Sequence, residues 1–113
     1  MKWEVKFYKT KDNKSPVEEW LNNLNLKTQA KIIRSLNLLE KFNINLKQPY
    51  VKPLEDKLYE IRIKDTQGIY RIIYFAHTGK QFIMLNGFTK KTQKTPRKEI
   101  DLALKRKEEF LNE

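Results

Sequence analysis

Four basic side chains and one aromatic ring are the residues of this sequence best suited to chemistry. Arg62 and Arg71 each lie in a strand-like run. Phe88 comes at the end of the next such run, and Lys90 and Lys91 follow it closely. Guanidinium groups offer a planar fork of donors that matches phosphate oxygens, and ammonium groups stabilise charge that builds on phosphorus during substitution. The set is therefore suited to hold and polarise an RNA phosphate without a metal.

Alternation along a strand determines which of these side chains share a face. In the run 58–63, Glu60 and Arg62 point to one side, whereas Ile61 and Ile63 point to the other. Apolar side chains belong against the core, so we expect the isoleucines to lie beneath the helices. Glu60 and Arg62 are then expected on the open face.

The second arginine has apolar neighbours on its face, which leaves its environment open. Arg71 alternates with Ile73 and Phe75. If antiparallel pairing brings it near Arg62, the two cations are reasonable with a phosphate between them, because like charges repel and lose hydration. The alternative is that Glu60 pairs with one arginine and that both are ordinary solvated residues.

Phe88 and the basic residues after it extend the set past the last strand. Alternation places Phe88 on the face of Met84, and at the strand end its ring could stack on a base, worth ~1–3 kcal/mol per base. Lys94 follows before the last helix, and Arg97 lies in that helix. The alternative is that Phe88 fills the core and that the lysines are a solvated run.

The sequence gives little support to a two-histidine catalytic site or to a metal site. His77 is the only histidine and falls in a predicted turn, which excludes a mechanism with two histidines as acid and base. No His/Cys set exists, and the aspartates lie in separate loops or helices. We therefore expect neither a metal nor a cofactor.

Composition indicates a small basic protein. The chain has 113 residues, and we predict a single domain over 1–113. Its formal net charge of +10 and pI near 9.8 are typical of nucleic-acid binders, although an anionic membrane surface or an acidic protein would also be attracted. With no cysteine, no signal peptide and no run of ~20 apolar residues, we expect a cytoplasmic protein that does not contact the membrane.

Hydrophobic periodicity predicts the element order β-α-α-β-β-β-α. The expected strands are 3–8, 58–63, 69–75 and 82–88, and 43–53 is expected to be a loop. Helices are expected to start at Ser15-Pro16, Asn25 and Thr95-Pro96. The second helix carries an apolar series at three- and four-residue steps: Leu26, Ala30, Ile33, Leu36 and Leu39. The pattern predicts an α+β fold, with a mainly antiparallel sheet and helices packed on one face.

Three sequence blocks resemble one family of bacterial proteins. LYEIR (58–62), YRIIYF (70–75) and GFTKKTQKTP (87–96) are similar to the phage-derived, HigB-type branch of the RelE/ParE toxins of type II toxin–antitoxin systems. The resemblance spans nearly the whole chain and implies a RelE-like fold. It also implies a metal-independent endoribonuclease that cuts mRNA, commonly on the ribosome. A helix-turn-helix, HigA-like antitoxin would bind the toxin in a hetero-oligomer.

The resemblance also implies roles for single residues. Arg71 resembles the strand arginine that contacts the scissile phosphate, and Arg62 resembles a second basic position. The implied reaction is attack of a ribose 2′-hydroxyl on its adjacent phosphate. The expected catalytic residues are Arg62, Arg71, Lys90 and Lys91, and the expected RNA contacts are Phe88, Lys94, Glu60 and Arg97. Proton transfer is left to a lysine of lowered pKa, to Glu60, or to the RNA and ribosome.

Two other functions stay open. A ParE-like toxin of the same fold would inhibit gyrase and leave mRNA intact, and a basic nucleic-acid-binding module would catalyse nothing. Arginines that face a phosphate on one sheet surface favour the nuclease, because a poison that binds a protein does not need them there.

Overall fold

The computed structural model describes residues 2–46, 50–90 and 94–113. These ranges contain eight regular elements: β1 (Glu4–Phe7), α1 (Pro16–Asn22), α2 (Leu26–Phe42), β2 (Val51–Pro53), β3 (Tyr59–Lys64), β4 (Ile69–His77), β5 (Gln81–Lys90) and α3 (Arg97–Leu111). The α+β class and the predicted order are confirmed. The short strand β2 is an addition, because its residues were predicted to be loop.

The starts of α1 and α2 follow their local sequence signals, whereas α3 starts at Arg97 with Pro96 in place of Thr95 at the cap position. The Asn25 side chain caps α2 by accepting a hydrogen bond from the Thr28 backbone N–H at 2.9 Å. Ser15 has the extended backbone of a cap and Pro16 takes the first helical position, although the Ser15 side chain makes no capping hydrogen bond. None of the described helices is long and apolar enough to cross a membrane.

The strands form one sheet in the order β1-β5-β4-β3-β2. β1 runs parallel to β5, and the other neighbouring pairs are antiparallel. Both edge strands are short, which limits the unpaired backbone that the sheet exposes. The mainly antiparallel sheet is therefore as predicted, and its long central strands β3, β4 and β5 carry the candidate site.

The helices lie on both faces of the sheet, which corrects the expectation of one covered face. α1 and α2 cover the face formed by side chains such as Ile61, Ile72 and Met84. α3 packs on the opposite face, against Ile73 and Phe75. These two apolar side chains share the face of Arg71. A helix must therefore pack on that face as well, to remove them from water.

The apolar face of α2 also differs from its predicted position. Ile32, Leu36 and Leu39 are buried against the sheet together with Thr28. The series Leu26, Ala30 and Ile33, which was expected to point into the core, is exposed. The helix is therefore rotated relative to the predicted orientation, and it presents apolar side chains outward.

A β-bulge reverses the side-chain alternation in β5. The pairing with β4 shifts register between Met84 and Asn86, so Leu85 has no cross-strand partner of its own. Upstream of the bulge, Met84 faces α1 and α2. Downstream, Asn86 and Phe88 face α3. The prediction that Phe88 and Met84 share a face is therefore wrong, because simple alternation does not continue through the bulge.

Candidate functional site

Arg62 and Arg71 are direct partners across β3 and β4. Both belong to the face that α3 partly covers, so the predicted approach of the two guanidinium groups is confirmed. Their exposure differs, however. Arg62 is exposed, whereas Arg71 is only 2% exposed. Of the two cations, Arg62 is the one that a molecule arriving from solvent meets.

A buried carboxylate lies beside Arg71. Glu60 is 0% exposed, and its Oε1 pairs with Arg71 Nη1. Its Oε2 accepts a hydrogen bond from the Thr95 hydroxyl at 2.5 Å. We expected Glu60 on the open face, but the start of α3 and the segment before it cover this position. Glu60 therefore ties β3, β4 and the entry to α3 together.

The guanidinium group of Arg71 keeps part of its hydrogen-bonding capacity unused. Its Nε is buried and has no hydrogen-bond partner. Burial lowers the pKa of Arg71, the Glu60 carboxylate opposes this, and the Arg62 charge adds to the lowering. Arginine stays protonated in proteins even so. Arg71 is therefore a permanent cation that is paired with Glu60, and it lies beside Arg62 on the neighbouring strand.

Lys90, at the end of β5, is the second buried cation of this face. It is 7% exposed. Burial lowers its pKa first, and the nearby Arg71, Arg62 and Lys52 charges lower it further, against the opposing effect of Glu60. A lysine with a lowered pKa has a larger neutral fraction near pH 7, and a neutral amine can accept a proton.

Lys52 belongs to the same group of charges, and sequence reasoning missed it. It lies opposite Glu60 on the edge strand β2 and is exposed. Its strand has only three residues, in a segment that was read as loop because Pro53 ends it. A pattern this short has no measurable alternation, so no sequence signal could have identified it.

Together these residues form a cationic surface. We use the term cationic face for Lys52, Arg62, Arg71 and Lys90, which surround the single carboxylate of Glu60. Four of these five side chains are cationic and one is anionic. A concentration of positive charge on a partly buried surface attracts anions, above all phosphate groups.

Phe88 lies opposite Arg71 in the pairing of β4 with β5. Its ring is buried in the core between the sheet and α3. This agrees with the alternative that the sequence left open, a core side chain. In this position Phe88 supports Arg71 from the neighbouring strand.

Two further predicted site residues, Lys94 and Arg97, lie around the start of α3. Lys94 is exposed. Arg97 is exposed and is engaged by Glu55 and Asp101, whose hydrogen bonds raise its pKa. Lys91 lies outside the described residues. The structure thus brings Arg62, Arg71 and Lys90 together, whereas the guanidinium group of Arg97 points to its own carboxylate partners.

Asn86 anchors α3 next to the cationic face. Its side-chain amide donates to Glu99 Oε1 at 3.0 Å and to the Glu99 carbonyl at 3.3 Å. Its Oδ1 is buried without a hydrogen-bond partner. The contact with Glu99 therefore holds the first turn of α3 against β5.

Comparisons with known proteins agree with the fold. The model of the family described as phage-derived protein Gp49-like matches residues 19–108. Among solved structures, the chain is similar to a mutant of the E. coli toxin RelE in the free state, with a TM-score of 0.61 and 14% sequence identity. The similarity covers 94% of this chain and 98% of that one. No curated protein sequence matches the chain.

Proposed function

Because the chain belongs to the phage-derived Gp49-like family, a family of RelE/HigB-type toxins, we propose that it is the toxin of a type II toxin–antitoxin system. We infer that it is a metal-independent endoribonuclease that cleaves mRNA on the ribosome in the cytoplasm. The observation that carries the proposal is the direct pairing of Arg62 with Arg71 on one sheet face, with Lys90 on the same face. Clustered cations on one sheet face are suited to bind the phosphates of a nucleic acid.

In the proposed reaction, a ribose 2′-hydroxyl attacks its adjacent phosphate and the 5′-oxygen leaves. Arg62, the exposed guanidinium, holds the scissile phosphate through its planar fork. Arg71 lies beside it and stabilises the charge that builds on the phosphoryl oxygens. Lys91 and Lys94 extend the basic segment along the RNA backbone, and Arg97 lies at its margin.

Lys90 is the proposed proton acceptor. The sequence left proton transfer to a lysine of lowered pKa, to Glu60, or to the RNA and ribosome. Both carboxylate oxygens of Glu60 are engaged, by Arg71 and Thr95. The lowered pKa of Lys90 supports its use as a base instead. Glu60 then acts as a positioning residue, which holds Arg71 in place without touching the RNA.

The proposed partners are mRNA, the ribosome and an antitoxin. Membership of a toxin family supports an antitoxin partner. We propose a helix-turn-helix, HigA-like protein that silences the toxin in a hetero-oligomer. The positive charge of the chain supports association with the RNA of the ribosome, because neutralised phosphates release counterions.

The test is 5′-end mapping of cellular mRNA after brief induction of the protein. We expect cuts that follow the reading frame in the wild type and are lost in Arg62→Ala and Arg71→Ala. Arg62 is exposed, so its loss leaves folding intact, and Lys80→Ala, which removes an exposed cation at the opposite end of β4, is the matched control. Growth arrest with intact mRNA would contradict the nuclease and point to a protein target such as gyrase. Absence of arrest would leave only a binding module.

A further inference from the structure

The outer surface of α2 carries an apolar stripe that nothing in the described chain covers. The stripe consists of Leu26, Ala30 and Ile33, which recur at helical spacing and are exposed. Leu26 is 80% exposed and Ile33 is 47% exposed. Single exposed apolar residues are common, but three aligned on one helix form a patch that a second molecule can bury.

A groove adjoins this stripe. It has a volume of about 1120 Å³ and lies between the first half of α2 and the turn that joins β3 to β4. Leu26 and Ala30 contribute to its floor. The turn is held against the helix by the Thr28 hydroxyl, which donates to Asp65 Oδ2 at 2.6 Å. The groove is therefore built from a helix and a turn that are fixed to each other.

The rim of the groove is positively charged. Four cationic side chains line it: Lys27, Lys31, Arg34 and Lys64. Asp65 is the one acidic side chain in the lining, and its other oxygen, Oδ1, already accepts hydrogen bonds from the Gln67 and Gly68 backbone. No ion pair in the described part of the chain involves the four cations. An anionic partner would therefore meet complementary charge along this rim.

We propose that this groove binds an acidic, amphipathic segment of a partner protein. Apolar side chains of that segment cover Leu26, Ala30 and Ile33, while its carboxylates meet the four cations of the rim. RNA fits less well, because a phosphate backbone gains nothing from burying an apolar stripe. A second copy of this chain fits less well too, because two identical basic rims would repel.

The test uses a synthetic helix-forming peptide of about 15 residues, long enough for three turns. It has leucines at i, i+4 and i+7 and glutamates on both flanks. We expect fluorescence anisotropy to detect binding that weakens with added salt, and NMR chemical shifts to change at 25–34 and 64–67. Leu26→Ser and Arg34→Glu should each weaken binding at least about tenfold, as loss of ~1.4 kcal/mol would. Both side chains are exposed, so the variants should fold.

Two matched variants on α3 serve as controls. Leu111→Ser removes a comparably exposed leucine, and Lys105→Glu reverses an exposed charge, both far from the groove in the fold. Equal weakening by these controls would show only general charge attraction and overturn the proposal, as would the absence of binding.

Two further outcomes would each replace the proposal. An RNA oligonucleotide that displaces the peptide and is insensitive to Leu26→Ser would identify a nucleic-acid surface. Self-association that sedimentation detects and Leu26→Ser abolishes would identify a dimer interface. Since mRNA cleavage is measured separately and Leu26 lies outside the cationic face, this inference and the proposed nuclease can fail independently.

Discussion

Arg62 and Arg71 face each other across β3 and β4, yet only Arg62 reaches solvent. The difference arises from Glu60, which pairs with Arg71 and is itself held by Thr95 at the entry to α3. The guanidinium group of Arg62 is therefore accessible to an anion from solvent, while that of Arg71 is held by Glu60 on the neighbouring strand. This division of roles could not be read from two arginines in two strands.

Removal of the buried carboxylate should be severely destabilising. In Glu60→Gln the Arg71 cation stays buried without its counter-charge, and we expect a loss of ~3–5 kcal/mol in the free energy of unfolding. Urea unfolding at pH 7 measures it. Glu55→Gln, which breaks the exposed pair with Arg97, is the control and should leave the free energy of unfolding nearly unchanged.

A double variant separates two effects of Glu60→Gln: the loss of the ion pair with Arg71, and the burial of an Arg71 cation that has no counter-charge. Glu60→Gln/Arg71→Gln removes both charges, so its free energy of unfolding should lie above that of Glu60→Gln alone. If Glu60→Gln proves as mild as Glu55→Gln, the buried pair is not a structural element of the fold.

The pH dependence of RNA cleavage should report Lys90. A lysine base acts in its neutral form, so the rate should rise with pH and level off above the lowered pKa of Lys90, before the ordinary lysine value of 10.5. In Lys90→Arg the positive charge is kept, but the pH-dependent rise should disappear and the rate should fall ~10²–10⁴-fold. Single-turnover cleavage on purified ribosomes measures both.

Lys80→Arg is the control for this profile, because Lys80 is exposed in the turn between β4 and β5. It should keep the wild-type pH profile. A Lys90→Arg variant with an unaltered profile would assign proton transfer to the RNA or the ribosome.

The Tyr8 hydroxyl should make stability fall at high pH. Tyr8 donates to Glu109 Oε2 at 2.5 Å, and burial, followed by this carboxylate, raises the pKa of Tyr8 to about 12. Because the folded value exceeds the unfolded value of 10.0, the contribution is fully present below pH 10 and is lost as the pH rises towards 12. Urea unfolding of the wild type and of Tyr8→Phe between pH 8 and 12 tests this.

At pH 8 we expect Tyr8→Phe to be less stable by ~1.5–3 kcal/mol, the typical value of a hydrogen bond to a charged group. The difference should shrink as the pH approaches 12. A difference that stays constant over this range would mean that the hydroxyl is not coupled to Glu109.

Gly87 should be intolerant of any side chain. A Cβ at this position would overlap the indole ring of Trp20, which packs directly on the backbone of β5. We expect Gly87→Ala to lower the free energy of unfolding by ~1–3 kcal/mol, as overpacking of a core does. Thermal unfolding measures it, and Gly68→Ala, where the nearest atoms lie at ordinary contact distance, is the control.

A double-mutant cycle identifies the cause. In a Trp20→Leu background the ring is absent, so the added cost of Gly87→Ala should decrease. An unchanged cost would assign the effect to the backbone of Gly87 instead of the indole.

The sequence by itself determined the features that depend on neighbours along the chain. The order of the elements other than β2, the start of α2 and the pairing of Arg62 with Arg71 follow from caps, alternation and a short hairpin loop, all of which act over a few residues. These signals are local, so they can be recognised in the sequence without knowledge of the fold. The approach of the two arginines is the part of the site that could be predicted.

Only the tertiary structure decided which of these residues are covered. The bulge at Leu85, the rotation of α2 and the placement of α3 over Glu60 arise from packing between elements far apart in the chain. Lys52 joins the cationic face through a strand of three residues, whose pairing with β3 is visible only in the folded sheet. Burial depends on what each face meets in space, and no periodicity within a single element contains that information.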